Sequence, residues 1–198
     1  MRDACVVRTT DGTFHMIWTS GWSENNIGYA STKDFVTWSE QKEIPVVAHE
    51  PTVRNSWAPE VAFDPKRGEF ILFWASTIPR KFTATAGSSE TDYNHRMYYT
   101  TTKDFTTFAP TQLFYDPGFS VIDANLRSAD GRHYLIIKAE GLSPPKKHLQ
   151  IASSADVRGP FSPLSAPVTP AGLGVEGTTA LRIGAQTLLY FDAFQTEN

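Results

Sequence analysis

The feature that most constrains this chain is a heptapeptide that occurs twice. Thr32-Lys33-Asp34-Phe35-Val36-Thr37-Trp38 reappears as Thr102-Lys103-Asp104-Phe105-Thr106-Thr107-Phe108, and a looser copy follows at Ser154-Ala155-Asp156-Val157-Arg158-Gly159-Pro160-Phe161. Near-identity over seven positions is more than a shared taste for turn residues. Each copy follows a β-rich run and carries a turn into an aromatic side chain. A second signal keeps step with the first. Turns at Asp11-Gly12, Arg67-Gly68, Asp130-Gly131 and Ile183-Gly184 lie 56, 63 and 53 residues apart. An Asp-Gly pair favours the positive φ of a tight hairpin.

Between these marks the apolar pattern is that of strands. No segment holds an i, i+3, i+4, i+7 spacing over three turns, whereas β-rich runs of four to eight residues recur between Gly, Pro, Asp and Asn. The runs predict strands at 14–19, 27–31, 70–76, 97–102, 133–138, 149–153 and 187–192. The 25 aromatic residues and 26 glycines and prolines suit short strands joined by many turns. A repeat of roughly 50–60 residues holding about four strands is a propeller blade. The segments before each turn, 3–8, 57–63, 120–127 and 175–183, then become the innermost strands. The expectation is an all-β, five-bladed β-propeller type of fold. About three and a half blades are present in one domain over residues 1–198, and further chain is needed to close the ring.

Composition narrows the function. A net charge of −3, from 18 basic and 21 acidic residues without a basic block, argues against nucleic acid as a partner. No apolar run approaches the ~18 residues of a membrane helix, so no membrane partner is expected. Met1-Arg2-Asp3 leads straight into a strand-like segment, and no signal peptide is read there. Cys5, the single cysteine, makes no internal disulfide and reads as a small buried apolar residue. His15, His49, His95, His133 and His148 are scattered without a short ligand pair, so no metal site is expected. Neither a phosphate-binding glycine loop nor a Gly-x-Ser-x-Gly elbow is present.

Each innermost segment carries an acid: Asp3, Glu60, Asp123 and Glu176. Equivalence in the repeat would bring them together at one end of the axis. A protonated acid beside an ionised carboxylate is the equipment of glycoside hydrolysis. Trp22, Trp57 and Phe119 lie nearby in sequence, and the C–H faces of sugars stack on such rings. His95 and Arg96 precede a strand and are further substrate-binding candidates. Plainer readings stand beside these. Asp3 would serve equally as a terminal residue, Glu60 as a hydrogen-bonded blade anchor, Glu176 as part of a glycine-rich loop, and His95 and Arg96 as surface polar groups. His15 and His133, in strands after turns, read as structural. Asp123 is the most telling, because an acid within Val121-Ile122-Asp123-Ala124-Asn125-Leu126 is costly unless paired or functional.

Arg2-Asp3, Trp57-Ala58-Pro59-Glu60, Ser120-Val121-Ile122-Asp123 and Val175-Glu176-Gly177, in that order, resemble glycoside hydrolase family 43. The resemblance covers essentially the whole chain, including Ile27-Gly28-Tyr29-Ala30-Ser31 and the Lys-Asp-Phe turns. It implies a five-bladed propeller enzyme acting on arabinose, xylose or galactose linkages of plant-type polysaccharides. It matches Asp3 to the general base, Glu176 to the general acid, and Asp123 to the third carboxylate that orients the acid. An inverting mechanism needs base and acid about 6.5–9.5 Å apart, with a water between. Two positions depart from the family, which usually has proline after the first Asp and after the Glu-Gly pair, where this chain has Ala4 and Thr178. No cofactor is implied. Some complete members carry an axial calcium or water, near a histidine of the last blade, for which no residue here is assigned. Relatives are commonly secreted or periplasmic. A carbohydrate-binding propeller without turnover is the alternative, and a protein-interaction propeller a third.

Overall fold

The computed structural model describes residues 1–142 and 147–196. Among these residues thirteen strands form four antiparallel sheets in chain order. The first holds β1 (Arg2–Arg8), β2 (Phe14–Thr19), β3 (Ile27–Thr32) and β4 (Lys42–Ile44). The second holds β5 (Trp57–Asp64), β6 (Glu69–Ser76), β7 (Arg96–Thr102) and β8 (Gln112–Tyr115). The third holds β9 (Val121–Ala129), β10 (Arg132–Ala139) and β11 (Leu149–Ser154), and the fourth β12 (Leu173–Ile183) and β13 (Gln186–Thr196). Each sheet is a meander, as expected for blades, and every hairpin joining its first two strands falls on a predicted turn. Gly12, Gly68, Gly131 and Gly184 all take positive φ there.

The chain forms two compact units, Met1–Lys81 with Met97–Tyr115, and Phe82–Arg96 with Asp116–Asn198. In the first unit Ile17, Ile27, Tyr29, Leu72, Trp74 and Tyr98 are the centre of a core shared by the first two sheets. In the second, Ile136, Leu149, Val175 and Ala180 pack with Ile151, Leu189 and Phe191. Among the described residues the third sheet has three strands. Its outer edge is covered by an irregular segment whose Ser162, Ser165 and Val168 amides donate to the carbonyls of Ser153, Ile151 and Leu149.

The repeated heptapeptides fold alike. Thr32 Oγ1 accepts from the amides of Asp34 and Phe35, and Asp34 Oδ1 from those of Val36 and Thr37 at 2.8 and 2.7 Å. Thr102 and Asp104 repeat this set with Asp104, Phe105, Thr106 and Thr107. Amide donors hold the carboxyls of Asp34 and Asp104 below their usual range, those of Thr37 and Thr107 most strongly. Phe35 and Phe105 both adopt left-handed φ, of 59° and 54°. Their surroundings differ. Phe35 is half exposed, while Phe105 is buried and stacks on His15 with ring centroids 4.0 Å apart. His15 also shares a 2.8 Å hydrogen bond with the Tyr29 hydroxyl, a structural role as expected.

The innermost strands share one irregularity. In each, two residues oppose one on the neighbouring strand: Asp3 and Ala4 face Trp18, Ala58 and Pro59 face Trp74, Asp123 and Ala124 face Ile137, and Gly177 and Thr178 face Phe191. The first residue of each bulge is left-handed, with φ of 50° at Asp3, 47° at Ala58, 53° at Asp123 and 62° at Gly177. This is the geometry of a bulge that usually takes glycine at its first position. Only one of the four has glycine, and each of the others holds a side chain in a region costing about 1–2 kcal/mol. Such strain is characteristic of sites where a side chain must be aimed.

The bulges correct one expectation. The four acids are not equivalent in the repeat. Asp3 and Asp123 share the first bulge position, Glu176 stands one residue before it and Glu60 two residues after it. The residues departing from the family's prolines, Ala4 and Thr178, occupy the second bulge position, where the second sheet does carry Pro59.

Candidate active site

In the first unit the site residues stand at the ends of β1, β2 and β5. The Thr19 hydroxyl donates to Asp3 Oδ2 at 2.9 Å and accepts from the Ala58 amide at 2.9 Å. Thr19 is buried, so one hydroxyl joins the bulges of two innermost strands and fixes a carboxylate that is itself exposed. Beside it the Arg2 guanidinium lies 4.4 Å from the Trp22 ring centroid. Trp22 and Trp57 meet edge to face at 5.5 Å, and the Trp57 indole N–H donates to the Trp22 carbonyl at 3.0 Å. Trp22 remains 62% exposed, an open apolar face held in place by its neighbours. The structure thus brings the two predicted tryptophans together. Glu60 accepts a 3.4 Å hydrogen bond from Cys5 Sγ, in keeping with its reading as an anchor.

In the second unit Asp123 and Glu176 come together, across sheets three and four. The Gly177 amide donates to Asp123 Oδ2 at 3.3 Å, tying one bulge to the other. Their common neighbour is Lys138, on β10. Its ammonium stands 3.2 Å from Glu176 Oε2, 3.8 Å from Asp123 Oδ2 and 3.0 Å from Glu140 Oε1. Lys147 extends the chain, 2.8 Å from Glu140 Oε2 and 3.4 Å from Glu90 Oε1. Burial alone would push the Lys138 ammonium down, but Asp123, Glu140 and Glu176 outweigh it and hold its pKa above the usual lysine value. Burial would likewise push Glu140 up, but the two lysines overcome it and hold that carboxyl below its usual range. Glu176 keeps 46% of its side chain exposed, so it can reach a bound molecule while one oxygen is held from behind.

Lys138, Glu140 and Lys147 were not among the expected site residues. The signal was present. In Leu135-Ile136-Ile137-Lys138-Ala139-Glu140 a lysine and a glutamate fall two apart on one face of an otherwise apolar strand, where charge is costly unless paired.

The remaining candidates fare differently. Arg96 is 1% exposed. It pairs with Asp116, donates to Asn94 Oδ1, the His95 carbonyl and Thr85 Oγ1 at 2.9 Å each, and lies over the Phe82 ring. It is a buried cation with partners at 85, 94, 95 and 116, not the surface polar group of the plainer reading. His95 is also buried. It stacks on Tyr93 at 5.0 Å, and its amide donates to Ser120 Oγ. Phe119 is half-buried in the loop before β9. Among the described residues no group of three or more His, Cys, Asp or Glu side chains is placed to hold a metal ion. The place where three carboxylates converge is filled by the Lys138 ammonium. No helix among the described residues is long and apolar enough to cross a membrane.

Comparison with known proteins decides the family. A family model for a probable glycosyl hydrolase domain, of the family-43-related kind, matches residues 1–197. The chain belongs to this family. It is 27% identical to an alpha-L-arabinofuranosidase of Bifidobacterium longum subsp. longum, in an alignment covering 99% of this chain and 20% of that protein. It is similar to the crystal structure of alpha-L-arabinofuranosidase from Lactobacillus brevis, with a TM-score of 0.70 at 17% identity over 97% of this chain and 63% of that one. A family-43 β-1,3-galactosidase in complex with galactodeoxynojirimycin gives a TM-score of 0.66 at 14% identity, covering 95% of this chain and 67% of that one. These likenesses establish the fold as a partial five-bladed propeller of the family-43 type. The family-43-related chain spans one fifth of its curated relative and under two thirds of the arabinofuranosidase structure.

Proposed function

We propose that this chain is the catalytic portion of a glycosidase that hydrolyses O-glycosidic bonds of arabinose, xylose or galactose in plant-type polysaccharides or oligosaccharides. The observation that carries the reading is the meeting of Asp123 and Glu176 around one buried ammonium, in a chain of this family. In the proposed reaction Asp3 takes a proton from a water whose oxygen attacks the anomeric carbon. Glu176 gives its proton to the glycosidic oxygen as the carbon–oxygen bond breaks. Asp123 orients Glu176, and the product has inverted configuration. Solvent then removes the proton from Asp3 and returns one to Glu176. Trp22 and Trp57 stack against the sugar.

The test is an assay of the full-length gene product on aryl arabinofuranosides, xylosides and galactosides, with the anomer released followed by NMR. Hydrolysis of at least one, lost in Glu176→Gln and in Asp3→Asn, is the expected result. No hydrolysis of any, or activity untouched by both substitutions, overturns the proposal. The exposed Trp22 face, held by Trp57 and Arg2, favours the second reading of sugar binding without turnover. Calorimetric binding of oligosaccharide with no release of reducing ends would select it.

A further inference from the structure

We infer that Lys138 is a positioning residue of the hydrolytic site: it clamps one oxygen of Glu176, so that the other oxygen faces the leaving group with the proton. The inference rests on the reading of Glu176 as the acid. Lys138 stands opposite Ile122 in the β9–β10 pairing, one residue before the Asp123 bulge, and its side chain is only 6% exposed. Its ammonium carries three N–H donors, and three carboxylates lie within 3.8 Å of it. A carboxylic acid whose Oε2 accepts from an ammonium keeps its own proton on Oε1. The lysine therefore selects the donating oxygen as well as its direction. Orientation of this kind contributes to rate because a reacting group must sit close to its near-attack geometry.

The clamp is itself supported. Glu140 lies two residues along the same face, accepts from Lys147 at 2.8 Å, and its amide donates to the Ser120 carbonyl at 2.9 Å. Without Glu140 the ammonium would keep the two site carboxylates and the Phe194 ring, whose centroid lies 5.2 Å away. With it, Lys138 is held from the strand behind and reaches forward to Asp123 and Glu176. A buried ion is retained at such cost when its geometry does something a packed apolar side chain cannot.

The experiment compares kcat on two aryl glycosides, arabinofuranosides, xylosides or galactosides as the protein accepts, that differ in their need for an acid, one with a phenyl and one with a 2,4-dinitrophenyl leaving group. Lys138→Met should lower kcat on the phenyl substrate by about 10²-fold, the range of a lost acid. On the dinitrophenyl substrate, whose leaving oxygen needs little protonation, it should lower kcat only several-fold. KM should change little on either, and Lys138→Arg should recover part of the loss. Equal losses on both substrates, or none, overturn the inference. A second measurement needs no turnover. Hydrogen exchange of the Lys138 ammonium, followed by NMR on lysine-labelled protein, should become several-fold faster in Glu176→Gln and in Asp123→Asn. Exchange indifferent to both overturns the clamp whatever the activity. Absence of hydrolysis by the unsubstituted protein, with exchange responding as stated, supports the clamp and overturns only the hydrolytic reading.

Discussion

Asp3 and Asp123 stand at the same place in their strands, the left-handed first residue of a two-against-one bulge, yet they are held in opposite ways. Asp3 accepts from Thr19, a neutral hydroxyl that passes the hydrogen bond on from the Ala58 amide. Asp123 accepts from the Gly177 amide and shares the Lys138 ammonium with Glu176 and Glu140. The bulge sets the direction of each carboxylate and the neighbour sets its electrostatic surroundings. A hydroxyl orients without adding charge, whereas an ammonium orients and adds a full one. One backbone device thus presents carboxylates in two electrostatic settings, and the difference between them resides in side chains on adjoining strands.

The largest effect expected from breaking the comparison is on turnover. Asp3→Asn and Glu176→Gln should each lower kcat by about 10²–10⁴-fold, the usual contribution of one proton transfer. The two losses should part company across a leaving-group series. Glu176→Gln should recover as the leaving group becomes more acidic, and Asp3→Asn should not, because activating the water does not depend on the departing oxygen. Measured kcat on a set of substituted aryl arabinofuranosides decides it. Parallel losses across the series would remove the distinction between the two duties.

A second comparison, between the two heptapeptide turns, is sharpened by stability. Phe105→Ala removes a buried ring from the first unit's core and should cost about 3–5 kcal/mol. Phe35→Ala removes a half-exposed ring whose main contacts are Phe14 and Trp38, and should cost about 1 kcal/mol. Chemical denaturation of the two variants checks the ordering. Equal costs would mean that the shared turn, rather than the environment of its aromatic, carries the stability.

These turns also mark how far the sequence was legible. The heptapeptides and the four glycine turns gave the strand order and the blade-like sheets, because turn chemistry is local and is written in consecutive residues. Asp3, Asp123 and Glu176 became candidates through their places in the repeat, and Asp123 also because an acid is costly in a strand-like run. Their register was not. A bulge shifts pairing by one residue, and at Asp3, Ala58 and Asp123 no glycine announces it. The burial of Arg96 was hidden for the same kind of reason. Its partners Thr85 and Asp116 lie 11 and 20 residues away, and nothing in the local sequence says that they close around a guanidinium. Lys138 and Glu140 were legible in principle, as charges two apart in an apolar strand, but only the fold shows which acids they meet.

A middle-sized effect should come from the hydroxyl that holds Asp3. Thr19→Val keeps the shape of the side chain and removes its oxygen. It leaves the Ala58 amide without that acceptor at a buried position, a loss of about 1–3 kcal/mol. It also frees the Asp3 carboxylate to turn. The expected result is a lower melting temperature together with a lower kcat, and Thr19→Ser should restore both in large part. A Thr19→Val protein with unchanged kcat would show that the bulge alone aims Asp3.

The smallest effect is a pH dependence arising in the second unit's charge chain. Glu140 has a folded pKa below its ordinary value, because Lys138 and Lys147 overcome the burial that would raise it. Such a group contributes stability that is present above the unfolded pKa, about 4.3 for glutamate, and is lost as pH falls through the lower folded value. Lys138 has the opposite sign. Its folded pKa lies above the ordinary one, so its contribution is complete below about 10.4 and is lost as pH rises through the higher folded value. Glu140→Gln should therefore melt below the unsubstituted protein at neutral pH, with about 2–4 °C lost per kcal/mol, and the gap should narrow as the solution is acidified past the glutamate range. For Lys138→Met the gap should persist through neutral pH and narrow only in strong alkali. Melting curves collected across pH for the two variants test both signs at once. A Glu140→Gln gap that widened in acid would mean that burial, not the lysines, governs that carboxylate, and the contrast with the hydroxyl-held Asp3 would lose its electrostatic basis.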